Sequence, residues 1–424
     1  MNMPDYYIWT IGCQMNKAES QDIADYFECL GFKEIRSAKN ADVIVLNTCV
    51  VRQSAENKVK GMLGSLQSIK SFNPRATIVV TGCFVNSNIS DLQKQYRHVD
   101  LFFKPAKSKD FYDWAERTNI GLDKAADYPV SKKLSPTSYV TIMQGCNNFC
   151  SYCIVPYRRG REKSISIEEI TRKVSTLAQG GVKEVTLLGQ NVNSYGHDLP
   201  SSTNLSVLLQ EIHSIQGIER IRFLTNHPKD MSEELIKTMA LLDKICEHIN
   251  LPIQSGDNTI LKAMRRNYTS EQYMDLINTL RRHIPAISIS TDIIVGFPGE
   301  TDDQFERSLD IVKNIGFDAV HTAIYSTRPG TIAARKYSDN ISLDIKKGRF
   351  SKIEEMQTGI ASKINAQLLD KTLEVLVEGD KKGKWFGRTR SDKLVFFESP
   401  NNCLGQLINV KIVKTSPWSL YGQI

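Results

Sequence analysis

Cys146, Cys150 and Cys153 are spaced C-x3-C-x2-C and follow directly on an apolar run at residues 139–144 that reads as a strand. Three thiolates on one tight loop can hold three corners of a cubane iron–sulfur cluster and leave the fourth iron without a protein ligand. An open coordination position on a metal is where a substrate binds. The occupant expected here is the amino and carboxylate end of S-adenosylmethionine. A zinc knot is the competing reading, but zinc prefers four protein ligands and no histidine lies near the run.

A second trio is visible only through the elements around it. Cys13, Cys49 and Cys83 are far apart in sequence, yet each stands just past the end of a predicted strand and directly after a small residue: Gly12, Thr48 and Gly82. Parallel strands place their C-terminal ends on one edge, so the three thiols are expected to converge there as a second metal site. Cys29, Cys246 and Cys403 form no group and read as core residues. The opening residues MNMPDYYIWTIGC lack the basic and apolar regions of a secretory signal. No window approaches the roughly 18 apolar residues of a membrane helix. We therefore expect a cytoplasmic protein without a membrane partner, whose grouped cysteines serve metal or redox chemistry rather than disulfides.

The elements that must position these thiols fall into three segments, as a chain of 424 residues suggests. The fold class is α/β. Residues 1–120 alternate strands (6–10, 42–47, 77–81) with helices (21–30, 55–69), which predicts an N-terminal parallel α/β domain. A polar stretch, 119–136, reads as a linker. Residues 132–365 carry six apolar runs, at 139–144, 184–188, 220–225, 248–254, 288–295 and 318–325. Helical patterns such as 167–178, 271–282 and 302–314 separate them, which predicts a partial (β/α)6 barrel with its site at the strands' C-terminal ends. A long amphipathic stretch, 343–369, crosses back over it. Residues 366–424 are β-rich (373–377, 394–398, 407–413) and predict a small antiparallel β-barrel.

The formal charge of +7 is a mild excess, so its placement matters more than its size. Arg158, Arg159, Arg161 and Lys163 adjoin the 146–153 loop, where they read equally as a solvated loop or as contacts to RNA phosphates. In the tail, Lys381, Lys382, Lys384, Arg388, Arg390 and Lys393 interleave with Trp385 and Phe386. Basic groups for the backbone and aromatics for bases favour RNA contact there.

The motifs GCQMN (12–16), NTC with Arg52 (47–52), GC (82–83) and MQGCNNFCSYCIVPYRRGRE (143–162) resemble those of the methylthiotransferase family of radical S-adenosylmethionine enzymes. LLGQNVNSYG (187–196), RFLTNHP (222–228), LPIQSG (251–256), IVGFPGET (294–301) and YSTRPGT (325–331) continue the resemblance in order. The tail, with GRTRSDKLVFFE (387–398), is similar to the TRAM domain, an OB-like RNA-binding module. The resemblance spans essentially the whole chain and is nearest to the branch acting on dimethylallyladenosine in tRNA.

It implies two [4Fe–4S] clusters, one on Cys146, Cys150 and Cys153 and an auxiliary one on Cys13, Cys49 and Cys83, with S-adenosylmethionine as cofactor. It implies that a 5′-deoxyadenosyl radical removes hydrogen from C2 of the adenine at tRNA position 37, and that a methylated sulfur is then transferred. Tyr152, Gly189, Gln190, Asn191, Gln254, Ser255, Gly296, Gly299 and Glu300 are the S-adenosylmethionine contacts by resemblance. Arg158, Arg159, Arg161, Lys384, Trp385, Arg388 and Arg390 are the expected RNA contacts. An electron donor and a sulfur source are implied partners, and the chain is expected to be a monomer. The alternatives are a sister activity on threonylcarbamoyladenosine in tRNA and a non-catalytic iron–sulfur sensor that binds RNA.

Overall fold

A computed structural model of the chain describes residues 3–85, 88–105, 108–118, 135–200 and 202–424. The linker expected at 119–136 lies, but for its last two residues, outside the described residues. Two compact units emerge. The first takes in the described residues up to Thr118 with Gln144–Asn148 and Cys153–Lys163, and the second takes 135–143, Phe149–Tyr152 and the described residues from Ser164 onward.

In the first unit the run VIVLNT is buried at every position, as a strand covered on both faces must be. It forms β3 (Val43–Thr48) at the centre of a sheet with β1 (Asp5–Thr10), β2 (Lys33–Glu34), β4 (Thr77–Gly82) and β5 (Leu101–Phe102). The order is β2-β1-β3-β4-β5 and every pairing is parallel. Successive side chains of a strand face opposite sides. Ile44 and Leu46 accordingly join the core under helix Gln53–Phe72, whereas Val43 and Val45 pack with Phe27 of helix Gln14–Cys29. The register sets Asn47 opposite Thr10 and Thr81, and Thr48 opposite Gly82. The ends of β1, β3 and β4 are therefore level on one edge.

The loop before the second unit's crossovers carries two short strands, β7 (Met143–Gln144) and β8 (Lys163–Ser164). The second unit has β6 (Thr137–Thr141), β9 (Glu184–Leu188), β10 (Arg220–Phe223), β11 (His248–Asn250), β12 (Ser288–Val295) and β13 (Ala319–Ile324). Parallel runs β6-β9-β10 and β11-β12-β13 are joined where Ile221 bridges Ile245 and Cys246 N donates to Ile221 O at 3.0 Å. Six strands in sequence order, with helices between, make the expected open (β/α)6 barrel. The crossover helices begin on side-chain caps, Ser166, Asn204, Ser232, Thr269 and Thr301 among them, which satisfy backbone donors left free at each N-terminus. Helix Leu343–Ala366 then returns across the last strand, where Gln357 Nε2 donates to Phe317 O at 3.0 Å.

The tail forms β14 (Thr372–Lys381), β15 (Lys384–Thr389), β16 (Leu394–Phe397), β17 (Leu407–Thr415) and β18 (Leu420–Gln423), closed in the order β14-β15-β16-β18-β17. One pairing departs from the antiparallel expectation: β16 and β18 run parallel. Directions cannot alternate at every step around a closed ring of five strands, so at least one parallel pair is forced.

This barrel is held against the bottoms of the partial-barrel strands by buried arginines. Arg222 donates to the carbonyls of Arg390 and Thr389 at 2.8 and 2.7 Å and to Glu184 Oε1 at 2.9 Å. Arg220 reaches Arg388 O at 2.8 Å and Glu374 Oε1 at 2.7 Å.

Candidate functional site

The edge of the N-terminal sheet brings Cys13, Cys49 and Cys83 to the ends of β1, β3 and β4. Cys13 occupies the cap position of helix Gln14–Cys29. Cys49 and Cys83 are buried. The preceding glycines are required by close approach: a Cβ at Gly12 would stand 2.8 Å from Cys49 Cβ, and one at Gly82 would strike the backbone of Thr48. Both glycines have positive φ, which strains any other residue.

A buried polar lattice fixes this edge. Asn16 Nδ2 donates to Asn47 Oδ1 at 2.7 Å, Asn47 Nδ2 donates to Asn16 O at 2.8 Å, and Cys83 N donates to Thr48 O at 2.8 Å. Burial pushes the Cys49 thiol up to about 12, with the neighbouring Cys83 adding to it. Burial also raises Cys83. Thiolates so placed need positive charge beside them, and iron supplies it. Among the described residues no three His, Cys, Asp or Glu side chains close around a single ion. The corners of a cubane present a different iron to each thiol, so its ligands stand wider apart than those of one ion.

Arg159, expected to meet RNA, lies here instead. It is buried; its guanidinium grips Glu19, and its Nε donates to Cys83 Sγ at 3.3 Å. Arg158 is half-buried, with Nε lacking a partner among the described residues, and burial lowers its pKa. Arg161 is exposed.

The 146–153 loop is anchored at several points. At its start, Cys146 N donates to Gly160 O at 3.1 Å, and Asn147 pairs with Glu162 through its backbone N at 3.0 Å. At its centre, Ser151 N donates to Met264 O at 2.9 Å and Ser151 Oγ to Ala263 O at 2.8 Å. Cys150 is buried and receives a hydrogen bond from Arg266 at 3.4 Å. Arg266 also donates to Pro252 O and the Tyr268 hydroxyl, and nothing in the sequence pattern marks it. Tyr152 packs against Ile260, Met264, Phe297, Tyr325 and Ala333.

At the mouth of the partial barrel three buried amide oxygens have no partner among the described residues: Asn191 Oδ1, Asn226 Oδ1 and Gln254 Oε1. Each stands a few residues past the end of its strand, β9, β10 or β11. The amide orientation of the two asparagines is fixed, because Asn191 Nδ2 donates to Asp230 Oδ2 at 2.7 Å and Asn226 Nδ2 to Asn250 O at 3.0 Å. Buried acceptors without donors call for a bound group bearing them, and S-adenosylmethionine offers amino and hydroxyl donors. Asn226 lies inside the RFLTNHP motif, and only its position after a strand could have marked it.

The remaining expected contacts are placed differently. Ser255 is fully buried and accepts from Asp257 N at 3.3 Å. A Cβ at Gly189 would meet Met143 Cγ at 2.5 Å. Gln190 is half-buried beside it. The close approach at Gly296 is to the Lys346 stem, and Gly299 N donates to Asn340 Oδ1 at 2.9 Å. Glu300 is engaged by Arg349 at 2.8 Å and by Gly296 N at 2.7 Å, and burial raises its pKa.

In the tail, Arg390 pairs with Glu247 at 2.8 Å and donates to the carbonyls of Asp243 and Ile245, each at 2.7 Å. Arg388 sits between Glu378 and Asp392. Arg390 ties the tail barrel to the partial barrel, whereas the Arg388 side chain pairs within the tail barrel itself. Trp385 packs into the barrel core with Nε1 donating to Ser399 O, while Lys384 is exposed and paired with Glu398. Outward instead lies a ladder of rings, Phe386 to Phe396 at 6.2 Å and Phe396 to Tyr421 at 5.7 Å.

Residues 140–312 match the radical SAM superfamily, residues 5–104 the uncharacterized protein family UPF0004, and residues 368–424 the TRAM domain. A tRNA-2-methylthio-N(6)-dimethylallyladenosine synthase from Dehalococcoides mccartyi (strain CBDB1) is 50% identical over 422 residues, covering 100% of this chain and 99% of the relative. One from Alkaliphilus oremlandii (strain OhILAs) is 43% identical, covering 99% of this chain and 92% of the relative. Among solved structures, the radical S-adenosylmethionine methyltransferase TsrM from Kitasatospora setae, with tryptophan substrate and an S-adenosylmethionine analog bound, superposes with a TM-score of 0.57. Its identity is 14%, over 78% of this chain and 75% of that one, so the fold alone is shared. With relatives this similar along their whole length, the chain belongs to the family of tRNA-2-methylthio-N(6)-dimethylallyladenosine synthases.

Proposed function

We propose that this protein installs a methylthio group at C2 of N6-dimethylallyladenosine next to the anticodon of tRNA. The observation that carries this reading is 50% identity, from end to end, to a relative named for that reaction. Cys146, Cys150 and Cys153 would hold one [4Fe–4S] cluster and leave an iron open for S-adenosylmethionine. Cys13, Cys49 and Cys83 would hold the second, where sulfur is delivered. When bound, these groups supply the one-electron chemistry at C2, the sulfur and the methyl group.

The chain's own residues bind and orient. Asn191, Asn226 and Gln254 accept hydrogen bonds from the cofactor, and Tyr152 packs beside it. Arg266 holds Cys150 by a hydrogen bond to sulfur, a contact that tunes such clusters. An electron donor and a sulfur source act as partners, and the protein works as a cytoplasmic monomer. Among the described residues no helix is long and apolar enough to cross a membrane.

The test is mass spectrometry of nucleosides from dimethylallyl-bearing tRNA after anaerobic incubation with the reconstituted chain, S-adenosylmethionine, reductant and sulfide. A new 2-methylthio-N6-dimethylallyladenosine peak is expected. Turnover on threonylcarbamoyladenosine instead would move the chain to the sister activity. Absence of 5′-deoxyadenosine would reduce it to a sensor.

A further inference from the structure

The centre of the cysteine loop is tied by Ser151 to two short segments, through Ser151 N to Met264 O at 2.9 Å and from Ala333 N to Ser151 O at 2.7 Å. Just past these ties lie Arg265 on one segment and Arg335 and Lys336 on the other. Together with Ile332 they line a cavity of about 440 Å³. Among the described residues no acidic side chain lines it. All three cations are exposed, and among the described residues none has an ion pair or side-chain hydrogen bond. The next residue, Arg266, is the contrast: it is buried and spends its donors on Cys150, Pro252 and Tyr268.

Two physical features set this cluster apart from an ordinary solvated surface. Like charges gathered around one cavity repel, and an anion seated among them relieves that repulsion. Arg265 also has φ of 60°, at the turn closing helix Asn258–Ala263. That left-handed position favours glycine or asparagine, and a long cationic side chain stands there against the local preference. Strain of this kind gathers at sites that bind.

We infer that this cavity holds backbone phosphates of the tRNA segment that carries the target adenosine. It rests on the functional reading above and gives that reading an anchoring point beside the Cys150 loop. Three cations suit successive phosphodiesters better than the single carboxylate of S-adenosylmethionine. The unpaired acceptors that suit the cofactor, moreover, lie past β9, β10 and β11 rather than on these segments.

The experiment compares the full, cluster-reconstituted chain with Arg265→Gln/Arg335→Gln/Lys336→Gln and with Arg265→Lys/Arg335→Lys, using dimethylallyl-bearing tRNA across a salt series. In the Gln variant tRNA affinity is expected to fall roughly tenfold or more at low salt. The slope of log affinity against log salt should become shallower by about two. The Lys variant should keep the wild-type slope. Formation of 5′-deoxyadenosine without tRNA should be unchanged in both, which reports that fold and cluster survive.

Wild-type binding with no change of affinity or slope in the Gln variant would overturn the proposal. So would a raised S-adenosylmethionine requirement with tRNA binding intact, which would assign the cavity to the cofactor's carboxylate. A wild-type chain that binds and modifies no tRNA would instead overturn the functional reading itself.

Discussion

Replacing Arg159 with Met should loosen the edge of the N-terminal sheet far more than replacing Arg159 and Glu19 together. The Arg159 side chain is 3% exposed and that of Glu19 11%. The guanidinium meets both carboxylate oxygens and also reaches Cys83 Sγ. Removing it strands a buried carboxylate without a counter-charge, which costs about 3–5 kcal/mol. At roughly 1.4 kcal/mol for each factor of ten, the local opening constant should rise by about two to four powers of ten.

Arg159→Met/Glu19→Met removes both charges, and an ion pair replaced by packed apolar groups is often close to neutral. Global unfolding of a chain with two units is not two-state. The assay is therefore hydrogen exchange by mass spectrometry on peptides covering β3 and β4. Equal exchange in the single and double variants, or wild-type exchange in the single variant, would refute the claim that this pair organises the edge.

His248 is buried under the docked tail barrel, and burial lowers its pKa from 6.5 to about 4. A depressed folded value means that the unfolded chain binds the proton first, so the contribution is complete above about pH 6.5 and is lost as pH falls toward 4. The second unit should lose roughly 3 kcal/mol over that window, and a His248→Gln variant should show a flatter thermal-stability profile over the same pH range. Arg222→Met should release the barrel, since it abandons two carbonyls and Glu184 together. Limited proteolysis should then cut near residue 370 while 5′-deoxyadenosine formation without tRNA persists, and an uncut variant would contradict the docking role.

Much of the fold can be read from local pattern. VIVLNT and TIVVT are apolar runs too short for helices and flanked by turn residues, and they become β3 and β4. The six strands of the partial barrel appear as six apolar runs for the same reason. The two-residue β2 and β5 carry no pattern at all. β15, KWFGRT, hides because its charges and glycine break the alternation.

The position of Cys49 and Cys83 after strands is local information, which is why a shared edge can be inferred from sequence. The partners of charged residues are not local. Arg159 looks like a member of a solvated basic loop until the fold delivers Glu19 from 140 positions away. Arg388 and Arg390 look like phosphate contacts until Glu378, Asp392 and Glu247 are seen beside them. Arg265, Arg335 and Lys336 form a cluster only in space, so no spacing in the chain announces it.

The central claim is that two cysteine trios divide the reaction between them, and a single variant tests it. The reconstituted wild-type chain should carry about eight iron atoms, and Cys13→Ala/Cys49→Ala/Cys83→Ala about four. The variant should still form 5′-deoxyadenosine from S-adenosylmethionine yet leave dimethylallyl-bearing tRNA without a methylthio group. Loss of S-adenosylmethionine cleavage along with the iron, or a methylthio product made by the variant, would contradict that division.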